Sequence, residues 1–350
     1  MKILYAIQGT GNGHLSRARD IYPELKKYGD VDILVSGYQA DVALPFPITY
    51  KLKGLSFMFG KQGGVSLWET FKKMDLITLL SDTYRLSVED YDLVINDFEP
   101  VSAWACKFRD VPCIALSHQS AVIQPMAAKP KKKGLFGQFV LNCYAPYSDY
   151  FGFHFKSYGD KIFTPVIRKE VQDLIPTEEP HYTVYLPAYD DTALIKFLYR
   201  FKNIKWEVFS KHNKEAFQFE NIHIQKVENE SFLKSLATCS GALLGAGFEG
   251  PAEALYLNKK LMVIPMKRQH EQQCNAAALA ELGVPVIDAL SAKNLKVFTQ
   301  WLASEDKVQI SFAEDTAAIA VGKLIDDFIV KAEYAQHMSE LKKGNGIYEI

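Results

Sequence analysis

A glycine-rich loop near the N-terminus ends at His14, a residue type that can act as a general base. Alternating glycines let a backbone turn sharply and approach a ligand closely, and the amides that open a helix attract negative charge. Glycine falls at every second position, which differs from the dinucleotide-binding fingerprint. The loop predicts either a phosphate or ligand site or a tight strand-to-helix turn without a ligand. Its residues are Gly9, Thr10, Gly11, Asn12 and Gly13.

Three residues compete for the role of the base. His14 is the first choice, because the dipole at the start of a helix disfavours the imidazolium form, so we expect a lowered pKa and a neutral ring. Asp97 and His118 each follow a predicted strand and should lie at the ligand-binding edge of a sheet. Asp97 could instead orient His14 or the acceptor. For all three, the alternative is a residue that only caps, packs or turns the chain.

A second glycine-rich segment leads into a helix predicted to start near Pro251. Its amides can face a pyrophosphate, while Glu253, one turn into the helix, can accept hydrogen bonds from the hydroxyls of a ribose. After the next predicted strand, glutamine and glutamate side chains that suit sugar hydroxyls open another helix. Each group alone could be a solvent-exposed helix start, but their joint spacing favours a ligand site. The two groups are Gly245, Ala246, Gly247, Phe248, Glu249 and Glu253, then Gln269, Glu271 and Gln272.

Short apolar runs separated by amphipathic stretches predict the elements that position these residues. The alternation is typical of α/β proteins with a doubly wound parallel sheet, and it restarts after a linker predicted at Phe163–Arg168. The sequence therefore predicts two Rossmann-like domains, residues 1–164 and 165–330. A tail, residues 331–350, either crosses back to the first domain or is mobile. The predicted strands are Lys2–Gln8, Val31–Ser36, Tyr91–Asn96, Val111–Ser117, Tyr182–Leu186, Ile204–Phe209, Ile222–Gln225, Gly241–Leu244, Leu261–Pro265 and Val284–Ile287.

Composition excludes several classes of protein. The chain has 350 residues and a net charge of -1, which fits two globular domains and excludes a globally basic nucleic-acid binder. The N-terminal apolar run is too short for a signal peptide, and no stretch is long and apolar enough to span a bilayer. The five cysteines lack metal-ligand spacing and suit a reducing compartment. We therefore expect a cytoplasmic protein without a nucleic-acid partner.

Acidic pairs in the sequence do not predict a metal site. Asp190–Asp191 follows a predicted strand and is interpreted as a helix cap, and Asp326–Asp327 is interpreted as part of a solvent-exposed helix face. No metal and no cofactor are therefore expected.

The two glycine-rich segments, GTGNGH and GAGFEGPAEAL…VIPMKRQHEQQCNA, together resemble those of GT-B glycosyltransferases. Similar families are the N-acetylglucosaminyltransferases of the peptidoglycan lipid intermediate, the UDP-glycosyltransferases, the plastid galactolipid synthases and a predicted prokaryotic branch related to teichoic acid. The resemblance implies two domains that face a cleft containing the active site. It also implies an inverting, metal-independent transfer in which an acceptor hydroxyl attacks the anomeric carbon and a nucleotide diphosphate leaves.

The resemblance also implies a role for each segment. Residues 165–330 would hold a nucleotide-sugar donor, most simply a UDP-sugar, and residues 1–164 would hold the acceptor, with His14 near the reacting hydroxyl. The second glycine loop would contact the pyrophosphate and Glu253 the ribose. The glutamine and glutamate group would contact the donor sugar, and Val227 would contact the base through its backbone.

Two loops of the first half mix basic and large apolar residues, at Lys51–Trp68 and Lys129–Phe139. This mixture suits a membrane surface or an anionic lipid-linked acceptor, and the first loop could close over the acceptor. The alternative is a solvated loop or a hairpin whose aromatic rings pack inward. The acceptor is thus predicted to be a small molecule or a lipid-linked or cell-envelope glycan, with peripheral contact to the inner face of the membrane.

Two other functions fit the same residues. A nucleotide-sugar 2-epimerase or a hydrolase on the same fold would act on the donor alone, which would leave the two basic-aromatic loops without a purpose. A non-catalytic binder of a nucleotide or glycan would keep its ligand affinity when His14 and Asp97 are replaced.

Overall fold

Two mostly parallel β-sheets with interleaved helices make up the computed structural model. The structure describes residues 1–10, 12–37, 44–54, 76–130, 134–213 and 215–345. Gly11, most of the Lys51–Trp68 loop and the basic centre of the Lys129–Phe139 loop lie outside the described residues. The predicted α/β class with two doubly wound parallel sheets is confirmed by this architecture.

The first sheet has seven parallel strands in the order β3-β2-β1-β4-β5-β6-β7. The chain moves outward from β1 to β2 and β3 and then returns to β4 on the other side of β1. Loops after β1 and β4 therefore diverge at the carboxyl edge, which is where open α/β sheets bind ligands. The strands are Lys2–Gln8 (β1), Asp30–Ser36 (β2), Tyr50–Leu52 (β3), Leu93–Asp97 (β4), Cys113–Ser117 (β5), Asp149–Phe153 (β6) and Ile162–Phe163 (β7).

The second sheet has six strands in the order β10-β11-β9-β8-β12-β13, and only β10 runs antiparallel to its neighbour. Here the order reverses between β8 and β12, and the carboxyl ends of strands at such a reversal are where open α/β sheets bind ligands. The strands are Glu179–Tyr185 (β8), Lys205–Ser210 (β9), Phe217–Phe219 (β10), Ile222–Lys226 (β11), Cys239–Gly245 (β12) and Lys260–Ile264 (β13).

Local signals explain where several helices begin and end. Glu99 caps α3 by accepting hydrogen bonds from the amides of Val101 and Ser102, and Asp110 ends it with a φ of 54°. Asp190 caps α7, as the sequence predicts. The helices of the described residues are Asn12–Leu25 (α1), Leu76–Arg85 (α2), Pro100–Arg109 (α3), His118–Val122 (α4), Leu135–Cys143 (α5), Lys169–Gln172 (α6), Asp191–Leu198 (α7), Asn229–Thr238 (α8), Glu249–Tyr256 (α9), His270–Glu281 (α10), Leu295–Ala303 (α11) and Thr316–Asn345 (α12).

Proline explains where two strand predictions fail. Val284–Ile287 forms only a single parallel bridge, between Val286 and Val263, because Gly283 has a φ of 92° and Pro285 has no amide to donate. The strand predicted from Val111 begins at Cys113, after Pro112.

The predicted linker Phe163–Arg168 starts inside β7, which is too short for a periodic pattern.

Helix α12 crosses from the second half of the chain to the first. Its buried residues Val321 and Leu324 belong to the same apolar cluster as Ile21 of α1 and Val263 of β13. Lys331 pairs with Asp149, the first residue of β6, and Asp327 pairs with Lys161 just before β7, which continues the contact. At the start of α12, the hydroxyls of Thr164 and Thr316 are 3.1 Å apart, so the two chain crossings between the halves lie side by side.

Among the helices in the described ranges, none combines the length and the apolar character needed to cross a membrane.

Candidate active site between the two sheets

The loop after β1 and the residue that ends β4 bring three polar side chains together. The Gly9 amide donates to the Ser36 carbonyl at 2.6 Å, and a Cβ on Gly9 would lie 2.9 Å from a Val35 methyl, so this close approach requires glycine. Helix α1 then places His14 and Arg17 on one face, one turn apart. Both side chains point at Asp97, because β1 and β4 are neighbours in the sheet.

His14 and Asp97 form a hydrogen-bonded dyad. Nδ1 of His14 lies 2.8 Å from Oδ1 of Asp97, whose side chain is 0% exposed. Arg17 donates from Nη2 to both carboxylate oxygens at 2.8 Å. A carboxylate that accepts these bonds fixes the proton on Nδ1, so Nε2 of His14 carries the free lone pair. The Gln119 amide nitrogen lies 3.4 Å from this Nε2 and donates to Glu271 at 3.1 Å.

The pKa of His14 corrects the sequence-based expectation. Burial lowers it, but the adjacent Asp97 carboxylate raises it by more, so the net pKa lies above its ordinary value. The predicted lowering by the helix dipole is therefore wrong, because a charged partner at hydrogen-bond distance outweighs partial charges at a helix end. For Asp97, burial raises the pKa, but Arg17 and His14 lower it below its ordinary value. The dyad thus keeps an ionised carboxylate behind a histidine of increased basicity.

His118 has both ring nitrogens engaged by the protein. Nδ1 is 2.8 Å from the Phe153 carbonyl, and Nε2 is 2.7 Å from the side-chain oxygen of Asn275 in the second half. The ring stacks on Phe248 at a centroid distance of 3.8 Å and is 1% exposed. Burial lowers the pKa of His118 to about 4, so the ring is neutral and donates to one of these two oxygens. This geometry joins the two halves and leaves no nitrogen open to a substrate.

The second glycine loop connects β12 to α9 and faces the first one. The Ala246 amide donates to Ile264, and its carbonyl accepts from Asn275 at 3.2 Å. A Cβ on Gly247 would meet no atom within 4 Å, so the backbone there borders open space. Glu249, in the first turn of α9, pairs with Arg17 of the first half at 2.6 Å. Side chains of the two halves thus meet directly beside both glycine loops.

Glu253 is buried and paired with an arginine that follows β7. Arg168 donates from Nε to Glu253 at 2.6 Å and from Nη1 to Asn229 at 2.9 Å. Burial raises the pKa of Glu253, and the guanidinium opposes that shift. Val227 lies just after β11, partly buried, near the Asn229 that opens α8.

The start of α10 uses its glutamines as caps. The side-chain oxygen of Gln269 accepts from the Gln272 amide, and Gln272 in turn accepts from the Met266 amide at 2.9 Å. Glu271 instead points toward Gln119 and the dyad, and burial raises its pKa. Of the three residues predicted here to contact a sugar, Glu271 is the one that is joined to His14 through Gln119.

A cleft lies at the carboxyl edge of the second sheet, where the strand order reverses. It encloses about 680 Å³ of space that is continuous with solvent. The cleft is lined by the ends of β8, β12 and β13, including Leu186, Gly245, Ile264 and Met266, and by Leu290. Within the described residues, no group of three or more histidine, cysteine or acidic side chains could hold a metal ion.

Sequence reasoning missed the two arginines of the site. Arg17 had a usable signal, since it lies three residues after His14 and hence on the same face of a predicted helix. Arg168 had none, because it falls in a segment interpreted as a linker.

Comparisons with known proteins agree with this architecture. The model of a family described as Glycosyl transferase family 1 matches residues 1–303. The spinosyn rhamnosyltransferase SpnG is similar in structure, with a TM-score of 0.56 and 14% identity over 94% of this chain and 96% of that one. UGT89C1 from Arabidopsis thaliana, complexed with UDP, has a TM-score of 0.55 and 10% identity over 93% and 99%. The glycosyltransferase SnogD from Streptomyces nogalater has a TM-score of 0.52 and 13% identity over 93% and 99%.

At these identities the likeness shows the fold, which confirms the GT-B architecture. No curated protein sequence matches the chain.

Replacing His118 by glutamine is expected to reduce the acid sensitivity of folding. Its folded pKa of about 4 lies below the ordinary value of 6.5, so at intermediate pH the unfolded chain binds a proton that the folded chain excludes. The contribution of neutral His118 to the free energy of unfolding is therefore fully present above the ordinary pKa, and it is lost as the pH falls toward the folded pKa. Between about pH 6.5 and pH 5, the wild type should lose about 2 kcal/mol more than His118→Gln, at about 1.4 kcal/mol per unit.

Urea unfolding at a series of pH values measures this difference. His212→Gln, at an exposed histidine, is the control and should keep the wild-type dependence. Parallel losses in the wild type and His118→Gln would contradict a neutral, buried His118.

Proposed function

Because this chain belongs to glycosyl transferase family 1, we propose that this glycosyltransferase moves a sugar from a UDP-sugar to an acceptor hydroxyl, with inversion and without a metal. The observation that carries the proposal is the His14–Asp97 dyad, whose Nε2 lies beside the Gln119 amide that also donates to Glu271 of the second half. A base on one half opposite a nucleotide-sugar site on the other is what a single displacement requires.

In the proposed reaction, Nε2 of His14 takes the proton of the acceptor hydroxyl as its oxygen attacks the anomeric carbon. The bond between that carbon and the β-phosphate oxygen breaks, and UDP leaves on the opposite face. Asp97 stabilises the imidazolium that forms and keeps Nδ1 protonated, so it orients the base and does not replace it. His118 is assigned a structural role, because its ring is buried and both of its nitrogens lie against protein oxygens.

The donor is assigned to the cleft at the carboxyl edge of the second sheet. Gly245, Ala246 and Gly247 with the amides that open α9 would face the pyrophosphate and stabilise its developing charge. Phe248 is held against His118, and Glu249 and Glu253 follow on α9. Glu253 would receive the ribose hydroxyls, Val227 the base, and Gln269, Glu271 and Gln272 the sugar. Support for UDP comes from UGT89C1, a structure of the same fold complexed with it.

The first glycine loop, with Gly9, Thr10, Asn12 and Gly13, is assigned to the acceptor, together with the proposed acceptor domain 1–164. The donor domain is proposed to be 165–330. Gln119 occupies the space beside Nε2 of His14 where the acceptor hydroxyl must lie, so we expect acceptor binding to displace its amide.

We also propose a lipid-linked or cell-envelope acceptor and peripheral contact with the inner face of the membrane from the cytoplasm. Helix α2 supports this, since Ile77 and Tyr84 on one face are each 83% exposed and Leu80 lies between them. Phe108 on the neighbouring α3 is also exposed, and Lys107 lies beside it. Apolar side chains flanked by cations suit an anionic bilayer surface.

Nucleotide binding is expected to depend on Glu253. A ligand at about 100 times its dissociation constant stabilises a fold by about 2.7 kcal/mol, so UDP should raise the melting temperature clearly, while GDP, dTDP and CMP should not. Glu253→Gln should lose this shift, because a neutral amide accepts ribose hydroxyls less strongly. Glu178→Gln removes an ion pair before β8, at the opposite sheet edge, and should keep it. Equal shifts for Glu253→Gln and the control would remove Glu253 from the donor site.

Replacing either residue of the dyad is expected to slow sugar transfer and to leave the affinity for UDP unchanged. His14→Gln should lower kcat by about 10² to 10⁴-fold, the usual contribution of a general base, and Asp97→Asn should also lower it. Both should keep UDP affinity in thermal shift. UDP release from UDP-glucose, UDP-galactose and UDP-N-acetylglucosamine with candidate acceptors measures the rate, and NMR of the product gives the anomeric configuration. Free sugar or an epimer formed from the donor alone would favour a hydrolase or an epimerase.

Membrane contact is expected to depend on the exposed face of α2. The double variant Ile77→Ser and Tyr84→Ser should bind less to phosphatidylglycerol-containing vesicles in sedimentation, because it removes apolar area that would enter the interface. Ile175→Ser changes an equally exposed residue of the second half and serves as the control. Vesicle binding that is unchanged in the double variant would contradict the assigned surface.

A further inference from the structure

A buried arginine joins the dyad to the second glycine loop. Arg17 is 2% exposed, donates from Nη2 to both oxygens of Asp97 and donates from Nη1 to Glu249 at 2.6 Å. Asp97 belongs to the first half, whereas Glu249 lies on α9 of the second half and remains 26% exposed. One guanidinium therefore binds carboxylates on both sides of the cleft, and its Nη2 also lies 3.3 Å from Nδ1 of His14.

Gly13 provides the room for this contact. A Cβ on Gly13 would lie 2.4 Å from Oε2 of Glu249 and 2.7 Å from its carboxyl carbon. Gly13 is inside α1, where alanine is more favourable than glycine, so the helix itself does not need glycine here. The missing side chain thus serves the approach of Glu249 to Arg17.

We propose that Arg17 is a positioning residue for sugar transfer. When the cleft is closed, Glu249, at the start of α9 next to the second glycine loop, holds Arg17. Arg17 in turn holds Asp97 and His14 in the reactive orientation. The proposal rests on the proposed function, in which His14 is the base and the loop at Glu249 binds the donor. Arg17 would thus connect the position of the second glycine loop directly to the base, His14.

Arginine suits this role because its planar group presents several donors in a fixed fork. Nη2 donates to both oxygens of Asp97, and Nη1 donates to Glu249. Lysine has one flexible ammonium and cannot hold both carboxylates in a fixed geometry. One buried cation is thereby shared by two carboxylates, one from each half.

The contact has an electrostatic consequence for His14. Besides burial, which lowers the pKa of His14, Asp97 raises it, Arg17 lowers it and Glu249 raises it. Movement of Glu249 away from the cleft would leave Arg17 less compensated, and the pKa of His14 would fall. His14 would then be the strongest base when Glu249 and the second glycine loop lie against the first half. The charged and titratable groups that face His14 are Asp97 from β4, Arg17 from α1, Glu249 from α9, Glu271 from α10 and His118 from α4.

NMR titration of the His14 ring, without any substrate, tests the connection. The resonance is assigned by its loss in His14→Gln. Glu249→Gln removes the charge, and Gly13→Ala pushes the same carboxylate away without changing a charge, so both should move the His14 titration toward lower pH. Glu281→Gln removes an exposed carboxylate at the far end of α10 and should leave the titration unchanged.

Unchanged titrations in Glu249→Gln and Gly13→Ala would overturn the proposal, whether or not the protein transfers sugar. Conversely, shifted titrations in a protein without transferase activity would reject the proposed function and keep the pairing. Arg17→Lys adds a kinetic test: kcat should fall while UDP affinity stays the same. A loss of UDP affinity instead would make Arg17 a donor-binding residue and not a positioning one.

Discussion

A fully buried carboxylate, that of Asp97, is the constraint on which the rest of the site depends. Removing an ionised group from water costs several kcal/mol unless charges and hydrogen bonds replace the lost hydration. The replacement comes from α1, whose His14 and Arg17 lie one turn apart and both reach the end of β4. For them to arrive there, β1 and β4 must be neighbours and the chain must leave β1 through the tight turn at Gly9. The chain also changes direction immediately after Asp97, where Phe98 has a φ of 57°.

The same requirement extends across the cleft, since each buried charge of the site has a partner. Glu249 pairs with Arg17, and Glu253 pairs with Arg168, so both carboxylates of α9 are fixed by arginines that precede the second sheet in sequence. Neutral contacts add to these pairs, because His118 bonds Asn275 and stacks on Phe248. The position of the second glycine loop therefore depends on side chains of the first half, and neither half forms this site alone.

Features that depend on a local sequence pattern were predicted correctly. Features that depend on a contact between residues far apart in the sequence were not. Parallel strands, both glycine loops and the nearness of His14 to Asp97 follow from periodicity and from the shared edge of adjacent strands. The direction of the His14 pKa shift was wrong, since a local dipole argument does not include a carboxylate 83 residues away. Arg168 had no local signal, and its role appears only when its segment meets α9. The assignments of donor residues stay predictions, because the structure gives their places and not their ligands.

The side-by-side crossings at Thr164 and Thr316 have a mechanical consequence. Two chain segments that pass between the halves at one point act as a single hinge, so the halves can swing apart about it while both segments stay in place. Gln172, which donates to the Glu314 carbonyl at 2.9 Å, ties the two segments further. Motion is then smallest at the hinge and grows with distance from it. The hydrogen bonds from Arg17 to Glu249 and from Gln119 to Glu271 join the two halves beside the glycine loops, so they must break for the halves to separate there.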